Sequence, residues 1–235
     1  MCGRYTLTPE ASQVLTAFPD LASNDLSLWG PPRYNIAPGE SVLAIVWRRD
    51  SASHASPARP EHGSPALERL HWGLLPSWTT SRSGGLAPIN ARAETLSEKP
   101  MFRQAFRKRR CLILADGFYE WRREGKRRRP FYIRLRSGDV FTFAGIWESR
   151  STETESNVLS TAIVTIEAND VIAPLHNRMP VLVPPAHRSL WLSPEINDIA
   201  RVQPLLVPSP GSDWELCEVS DYVNNVRNEG PRCIA

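Results

Sequence analysis

Apolar positions along this chain fall in short runs and at alternating positions far more often than at helical spacing. Residues 42–47, 111–115, 131–136, 140–147, 158–166, 181–183 and 214–219 read as strands. Short turns such as Ser137-Gly138-Asp139 join several of them, which favours antiparallel pairing. Helical spacing surfaces in four places. Thr8-Pro9 followed by Val14, Leu15 and Phe18 predicts a capped helix beginning at the proline. Phe102 and Phe106, four apart, predict a helix that buries two rings and turns the basic residues 107–110 outward. Residues 169–175 and 185–192 predict two more. Between these patterns, residues 48–70 are rich in Ser, Ala and Pro and have no period. They predict an exposed loop within one domain, with His54 and His62 solvated. With no internal repeat and no regular βαβ alternation, the predicted class is α+β, a mainly antiparallel, barrel-like β core with short helices in one domain spanning 1–235.

The chain has 235 residues, of which 41% are hydrophobic, enough for a substantial core. Its net charge of +3 hides a polarised distribution. Residues 103–136 hold eleven Arg and two Lys against Asp116, Glu120 and Glu124, a local balance of +10 that leaves −7 for the remainder. Arginines outnumber lysines by 25 to 3, and the planar guanidinium suits bidentate contact with phosphate. A nucleic-acid face follows as one reading, with Arg103 and Arg107 as candidate contacts. A solvated basic hairpin tip at residues 122–129 is the other. Four cysteines without a CxxC pair, and no basic-then-apolar leader, point to a reducing cytoplasm, nucleoid-associated if the source is bacterial. No apolar run approaches the roughly 18 residues of a membrane span. Dispersed cysteines and five histidines without ligand spacing predict neither metal nor cofactor.

The candidate chemistry begins at Cys2. Removal of Met1 would put an α-amine and a thiol on one residue, groups that ordinarily titrate near about 8 and about 8.5. An aldehyde can condense with the amine to an imine, and the thiol can close on the same carbon as a five-membered thiazolidine. The alternative is a small, inert, buried cysteine. Glu120, between Tyr119 and Trp121, reads either as a partly desolvated proton shuttle or as a solvent-facing strand residue. His176 reads as a general acid/base or as a satisfied residue at a helix end. Asn90 reads as a turn residue or a buried donor. Arg92 and Arg178 read as phosphate ligands or as structural partners of Glu94 and Asp116.

Seven ordered motifs, MCGRYT at the start, then YNIAP, WGLLPSW, INARAET, DGFYEW, HNRMP and VNNVRN, resemble the SOS-response-associated peptidase family of abasic-site processing proteins. The resemblance runs from Cys2 to Ile234, broken mainly by the 48–70 segment. It implies the fold of that family and a protein that binds single-stranded DNA carrying abasic sites, including junctions with duplex, and traps the sugar aldehyde as a thiazolidine. By matching motif, Cys2 is the cross-linking residue, Asn90 the amide near the linkage, Glu120 the carboxylate beside the α-amine and His176 the acid/base that opens the sugar ring. Arg4 and Arg92 would hold phosphates, and Pro38 and Trp72 would form an apolar wedge against flanking bases or a duplex end. Self-removal of Met1 is a related peptidase activity that the family name suggests. Two rival readings remain at this stage. One is an N-terminal-nucleophile hydrolase like the class II glutamine amidotransferases, which also open Met-Cys-Gly; the other is a non-catalytic single-strand-binding module in which Cys2 is incidental.

Overall fold

The computed structural model describes residues 2–19, 21, 27–49, 63–77, 87–151, 157–196 and 198–235. In chain order the elements are β1 (Tyr5–Leu7), α1 (Ala11–Ala17), β2 (Arg33–Ile36), β3 (Ser41–Arg49), β4 (Gly63–Trp72), β5 (Asn90–Arg92), α2 (Pro100–Lys108), β6 (Arg110–Ala115), β7 (Gly117–Glu124), β8 (Arg127–Leu135), β9 (Phe141–Arg150), β10 (Val158–Glu167), β11 (Arg178–Pro180), α3 (Arg188–Leu192) and β12 (Trp214–Glu218).

Five strands close a ring. β3 pairs with β4 and β6, β6 with β9, β9 with β10, and β10 returns to β4. Closure leaves these strands without open edges over the paired stretch, as in small barrels. β10 is long enough to serve two partners on each side. Residues 160–161 run parallel to β4 and 163–165 parallel to β5, while β9 and then β11 run antiparallel on the other edge. The expected antiparallel barrel is therefore present, with these two parallel pairings added.

A second, all-antiparallel sheet in the order β12-β8-β7-β1-β2 lies against the barrel. One continuous core joins the two: Phe118 of the second sheet meets Phe143 of the barrel and Trp214 meets Phe141, edge-on, with ring centroids 6.1 and 5.7 Å apart. The far face of the second sheet carries a smaller core of Tyr119, Tyr132, Val219, Val223 and Cys233. Gly117 makes the packing of β7 on β8 possible, because a Cβ there would stand 2.3 Å from the Tyr132 ring.

Four expectations about individual segments are corrected. The 48–70 segment is not all loop: β3 runs to Arg49, and from Gly63 the chain is strand, with Ala66, Leu67, Leu70 and Trp72 buried. Pro65, Glu68 and Arg69 mask its pattern, and Pro65 is tolerated because β4 meets β10 only at His71 and Trp72. Residues 50–62, with His54 and His62, lie outside the described part. Residues 169–175 form hydrogen-bonded turns and not a helix; Asn169 caps them by accepting from Ile172 N–H at 2.9 Å, and Pro174 brings no donor to continue a helix. The strand expected at 181–183 is a single bridge, Leu182 to Phe143, and the ladder lies just upstream in β11. Helix α1 begins at Ala11, with Glu10 and Gln13 closing a reciprocal cap.

Candidate active site

The N-terminal residues lie along β7. Tyr119 N–H donates to Arg4 C=O at 2.9 Å and Asp116 N–H to Thr6 C=O at 3.1 Å, so residues 4–6 are fixed to the β6–β7 corner. Asp116 clamps the same stretch through its carboxylate, which accepts from Thr6 Oγ1 at 2.6 Å and from the Thr8 hydroxyl. Burial raises the Asp116 pKa, and these donors work against it. Of the two roles open to Asp116, partner of Arg178 or not, the structure shows it bound to threonines.

This clamp delivers Cys2 into the core. Cys2 is fully buried, and burial, reinforced by the charge of Glu120, pushes its thiol far above the usual range, so the sulfur is held as S–H. Asn90 opens β5, which Ile89 anchors: its C=O accepts from Ile163 N–H and from Trp72 Nε1, both at 3.0 Å. From there Asn90 Nδ2 donates to Cys2 C=O at 3.0 Å, and its buried Oδ1 has no hydrogen-bond partner. Of its two readings, the hydrogen-bond donor is the one present, with the residue half-buried.

Glu120 follows Phe118 on the inward face of β7 and is 3% exposed, which settles the solvent-face reading against it. Burial pushes its carboxyl up to about 7. His176 sits at the end of the 169–177 turn, where its Nδ1 accepts from Arg178 N–H at 2.9 Å. The neutral ring therefore carries its proton on Nε2. Burial, with the positive charges of Arg123 and Arg178, lowers its pKa.

The arginines divide. Arg178 is structural: it grips Glu94 with two nitrogens, at 2.6 and 2.8 Å, and Thr165 C=O at 2.6 Å. Arg4 is 9% exposed, and its Nη1 donates to Asn35 Oδ1 at 2.6 Å and Val223 C=O at 2.9 Å. Asn35 in turn donates to the carbonyls of Val223, Asn225 and Asn228, so the C-terminal segment fixes Arg4. Arg92 is exposed at the end of β5, two residues after Asn90. Arg103 and Arg107 are exposed on α2, which packs on β9 and β6.

Trp72 does not match its expected place as a wedge. It is 1% exposed, packed edge-on against Tyr5 at 5.2 Å, so its ring is the floor under Ile89 and Asn90 and offers no face to a base. Pro38 is exposed above it, at the apex of the 37–40 turn, which Gly39 permits with φ +90° and ties to Trp72 C=O at 2.8 Å. Sequence reading also passed over Asn35, Tyr5 and Thr165. The Tyr5 hydroxyl and Thr165 Oγ1 are buried without a hydrogen-bond partner, but a tyrosine and a threonine in strands carry no prior signal of this. Among the described residues no group of three or more His, Cys, Asp or Glu is arranged to hold a metal ion, and no helix is long and apolar enough to cross a membrane.

Known proteins share this sequence and fold. The chain is 35% identical over 240 residues to abasic site processing protein YoqW of Bacillus subtilis, covering 100% of this chain and 99% of that protein. It is 30% identical to abasic site processing protein YedK of Escherichia coli, again over 100% and 99%. A crystal structure of a Bacteroides thetaiotaomicron protein shares the fold, with a TM-score of 0.81 at 22% identity over 99% of this chain and 98% of that one. The sequence profile described as SOS response associated peptidase (SRAP) matches residues 1–226, and the chain belongs to that family.

Proposed function

We propose that this protein binds single-stranded DNA at an abasic site and joins Cys2, once Met1 is removed, to the ring-opened sugar as a thiazolidine. The observation that carries the reading is the meeting of three distant segments: a buried Cys2 thiol, Asn90 on its carbonyl at 3.0 Å, and a buried Glu120 whose carboxyl titrates near 7 beside them. Relatives named for abasic-site processing support the substrate class.

The abasic sugar is mostly a closed hemiacetal, so a proton must move to open it. As the C1–O bond breaks, the anomeric hydroxyl loses its proton and the ring oxygen gains one; His176, neutral with its proton on Nε2, donates a hydrogen bond to the ring oxygen while the hydroxyl proton is relayed to that oxygen through solvent, so the histidine ends neutral as it began. The α-amine of Cys2 then attacks the aldehyde carbon. A C–N bond forms and one amine proton passes to the carbonyl oxygen; the hydroxyl then leaves as water with a proton from the protonated Glu120, and the nitrogen returns its remaining proton to Glu120 to give the imine. In the last step the sulfur adds to the same carbon, and the thiol proton passes to the nitrogen. The net change is aldehyde plus cysteine giving thiazolidine plus one water. Because both nucleophiles share one residue, the second closure has a high effective molarity. Removing the imine also removes the electron sink that β-elimination of the strand needs, so the product shields the site.

Asn90 holds the Cys2 carbonyl and thereby the direction of the amine. Arg4, held by Asn35, offers positive charge beside Gly3 for a phosphate. Removal of Met1 by the protein's own site would use the same Glu120 and the same buried cysteine. The reading is tested by incubating the protein with an abasic oligonucleotide and resolving the products on a denaturing gel after heating. A heat-stable adduct is expected, and it should vanish in Cys2→Ala and when an unremovable residue precedes Cys2. An adduct that persists in both variants would refute the reading.

A further inference from the structure

Residues opposite each other in an antiparallel pair share a face, and successive pairs alternate between faces. In the β7–β8 hairpin Arg122 lies opposite Arg129, Arg123 opposite Arg128, and Glu124 opposite Arg127. Charge on the first face is met. Glu124 takes Arg122 at 2.8 Å and Arg129 at 3.4 Å, Glu218 takes Arg129 at 2.8 Å, and Arg122 stacks over Phe131 at 5.0 Å. Arg127 has Asp221 at 3.9 Å.

The other face carries Arg123 and Arg128. Both are exposed, and neither has an ion pair among the described residues. Like charges set directly opposite destabilise a sheet, and no acid in the hairpin offsets this pair. A bound anion would.

The same face continues toward the reactive end. Trp121 precedes Arg123 by one pair on that face, and a cleft of about 320 Å³ is lined by Gly3, Arg4, Trp121, Arg128 and Asn224. Within it the Trp121 ring is fixed by its Nε1 donating to Asn224 Oδ1 at 2.7 Å, the Arg4 guanidinium lies 5.8 Å from the ring centre, and the buried Arg4 Nε has no hydrogen-bond partner. Gly3 joins the cleft directly to Cys2. Glu120, by the same alternation, lies on the first face with Arg122, so the link from Arg123 and Arg128 to the reactive end runs through this cleft.

We propose that Arg123 and Arg128 form a cross-strand clamp for the phosphodiester backbone of single-stranded DNA, continuous with the cleft at Arg4 and Trp121. This rests on the DNA reading of the site and adds where the strand leaves it. Arg123 stands three residues beyond Glu120, about 10 Å along the strand at roughly 3.4 Å per residue, so the clamp holds a phosphate of a neighbouring nucleotide and not of the reacting one.

The test compares two double variants that remove the same charge, Arg123→Gln with Arg128→Gln and Arg122→Gln with Arg127→Gln. Binding to an undamaged single-stranded oligonucleotide is followed by fluorescence anisotropy across a salt series. Losing two phosphate contacts should reduce the slope of log K against log salt by about 1.4 in the first double variant. The second should change it by less than half as much, and Arg123→Lys with Arg128→Lys should keep most of it. An unchanged slope in the first double variant, or equal loss in both, overturns the clamp. Adduct yield with abasic DNA at saturating concentration is read separately. If the slope falls as expected but wild type makes no adduct, the clamp stands and the cross-linking reading fails. If adduct forms and the slope does not move, the reverse holds.

Discussion

Asn90 Nδ2 and the carbonyl oxygen of Cys2 lie 3.0 Å apart, linking the residue that opens β5 to the second residue of the chain. The bond fixes the carbonyl of Cys2, and under the proposed function, with Met1 removed, it would orient the α-amine. Asn90 is thus expected to act on geometry more than on affinity.

Asn90→Ala should slow adduct formation at saturating abasic DNA by roughly 10–100-fold, about 1.4–2.7 kcal/mol, while the affinity for undamaged single strands stays within about twofold. Single-turnover kinetics beside equilibrium binding check this. Loss of binding with an unchanged saturating rate would move Asn90 from the reaction to the interface.

Glu120 gives a pH signature of known sign. Its carboxyl is raised from 4.5 to about 7 in the folded state, so the native protein binds more protons than the unfolded chain between those values. Stability should therefore fall as pH rises from 4.5 through 7, and Glu120→Gln, which cannot ionise, should be more stable than wild type at pH 8 by up to about 3 kcal/mol and nearly equal to it at pH 4.5. Urea unfolding at both pH values reads the difference. The adduct rate of wild type should carry an inflection near 7 that Glu120→Gln lacks; an identical inflection in the variant would assign it to another group.

Trp72 and Pro38 separate core from surface. Trp72→Ala should cost about 3–5 kcal/mol, the range for a buried aromatic removed from a packed core. Exposed Pro38→Ala should cost less than about 1 kcal/mol. Equal small effects would mean that Trp72 is not held in the core position described.

Legibility followed local pattern. The strand at residues 158–166, with alternating and continuous apolar runs, and the Phe102/Phe106 helix match β10 and α2 within two residues, but Arg110, expected on the outward basic face, is buried in β6, where it donates to the carbonyls of Phe106, Trp191, Ser193 and Ile196. Barrel closure and the attachment of the second sheet depend on pairings between distant residues such as Thr161 and Trp72, which no window of sequence contains. The candidate site divides likewise. Cys2, Asn90, Glu120 and His176 stood out because each is more reactive than packing requires and because their motifs match a family. Trp72 was misplaced because its wedge role was carried over from the family motif, and a motif match does not tell a stacking surface from a core residue; burial does. Asn35 was missed because its role is to satisfy carbonyls of the C-terminal segment nearly 200 residues away.

Thr6 Oγ1 donates to Asp116 at 2.6 Å and shares Tyr132 Oη at 3.1 Å. Thr6→Val removes these bonds and leaves a buried carboxylate and a buried hydroxyl short of partners, so a loss of about 2–4 kcal/mol is expected in urea unfolding. The same variant should also react more slowly with abasic DNA, since β1 carries Cys2. A destabilised variant with an unaltered adduct rate would show that β1 can loosen without moving the reactive end.

The central claim is that sulfur and nitrogen of one residue capture one sugar carbon. Intact-mass analysis of wild-type protein incubated with an abasic oligonucleotide tests it most directly. The expected mass is that of the chain without Met1 plus the oligonucleotide less one water, with the modification localised to Cys2 after proteolysis. A chain that keeps Met1 in the adduct, or an adduct mapped to any other residue, would contradict it.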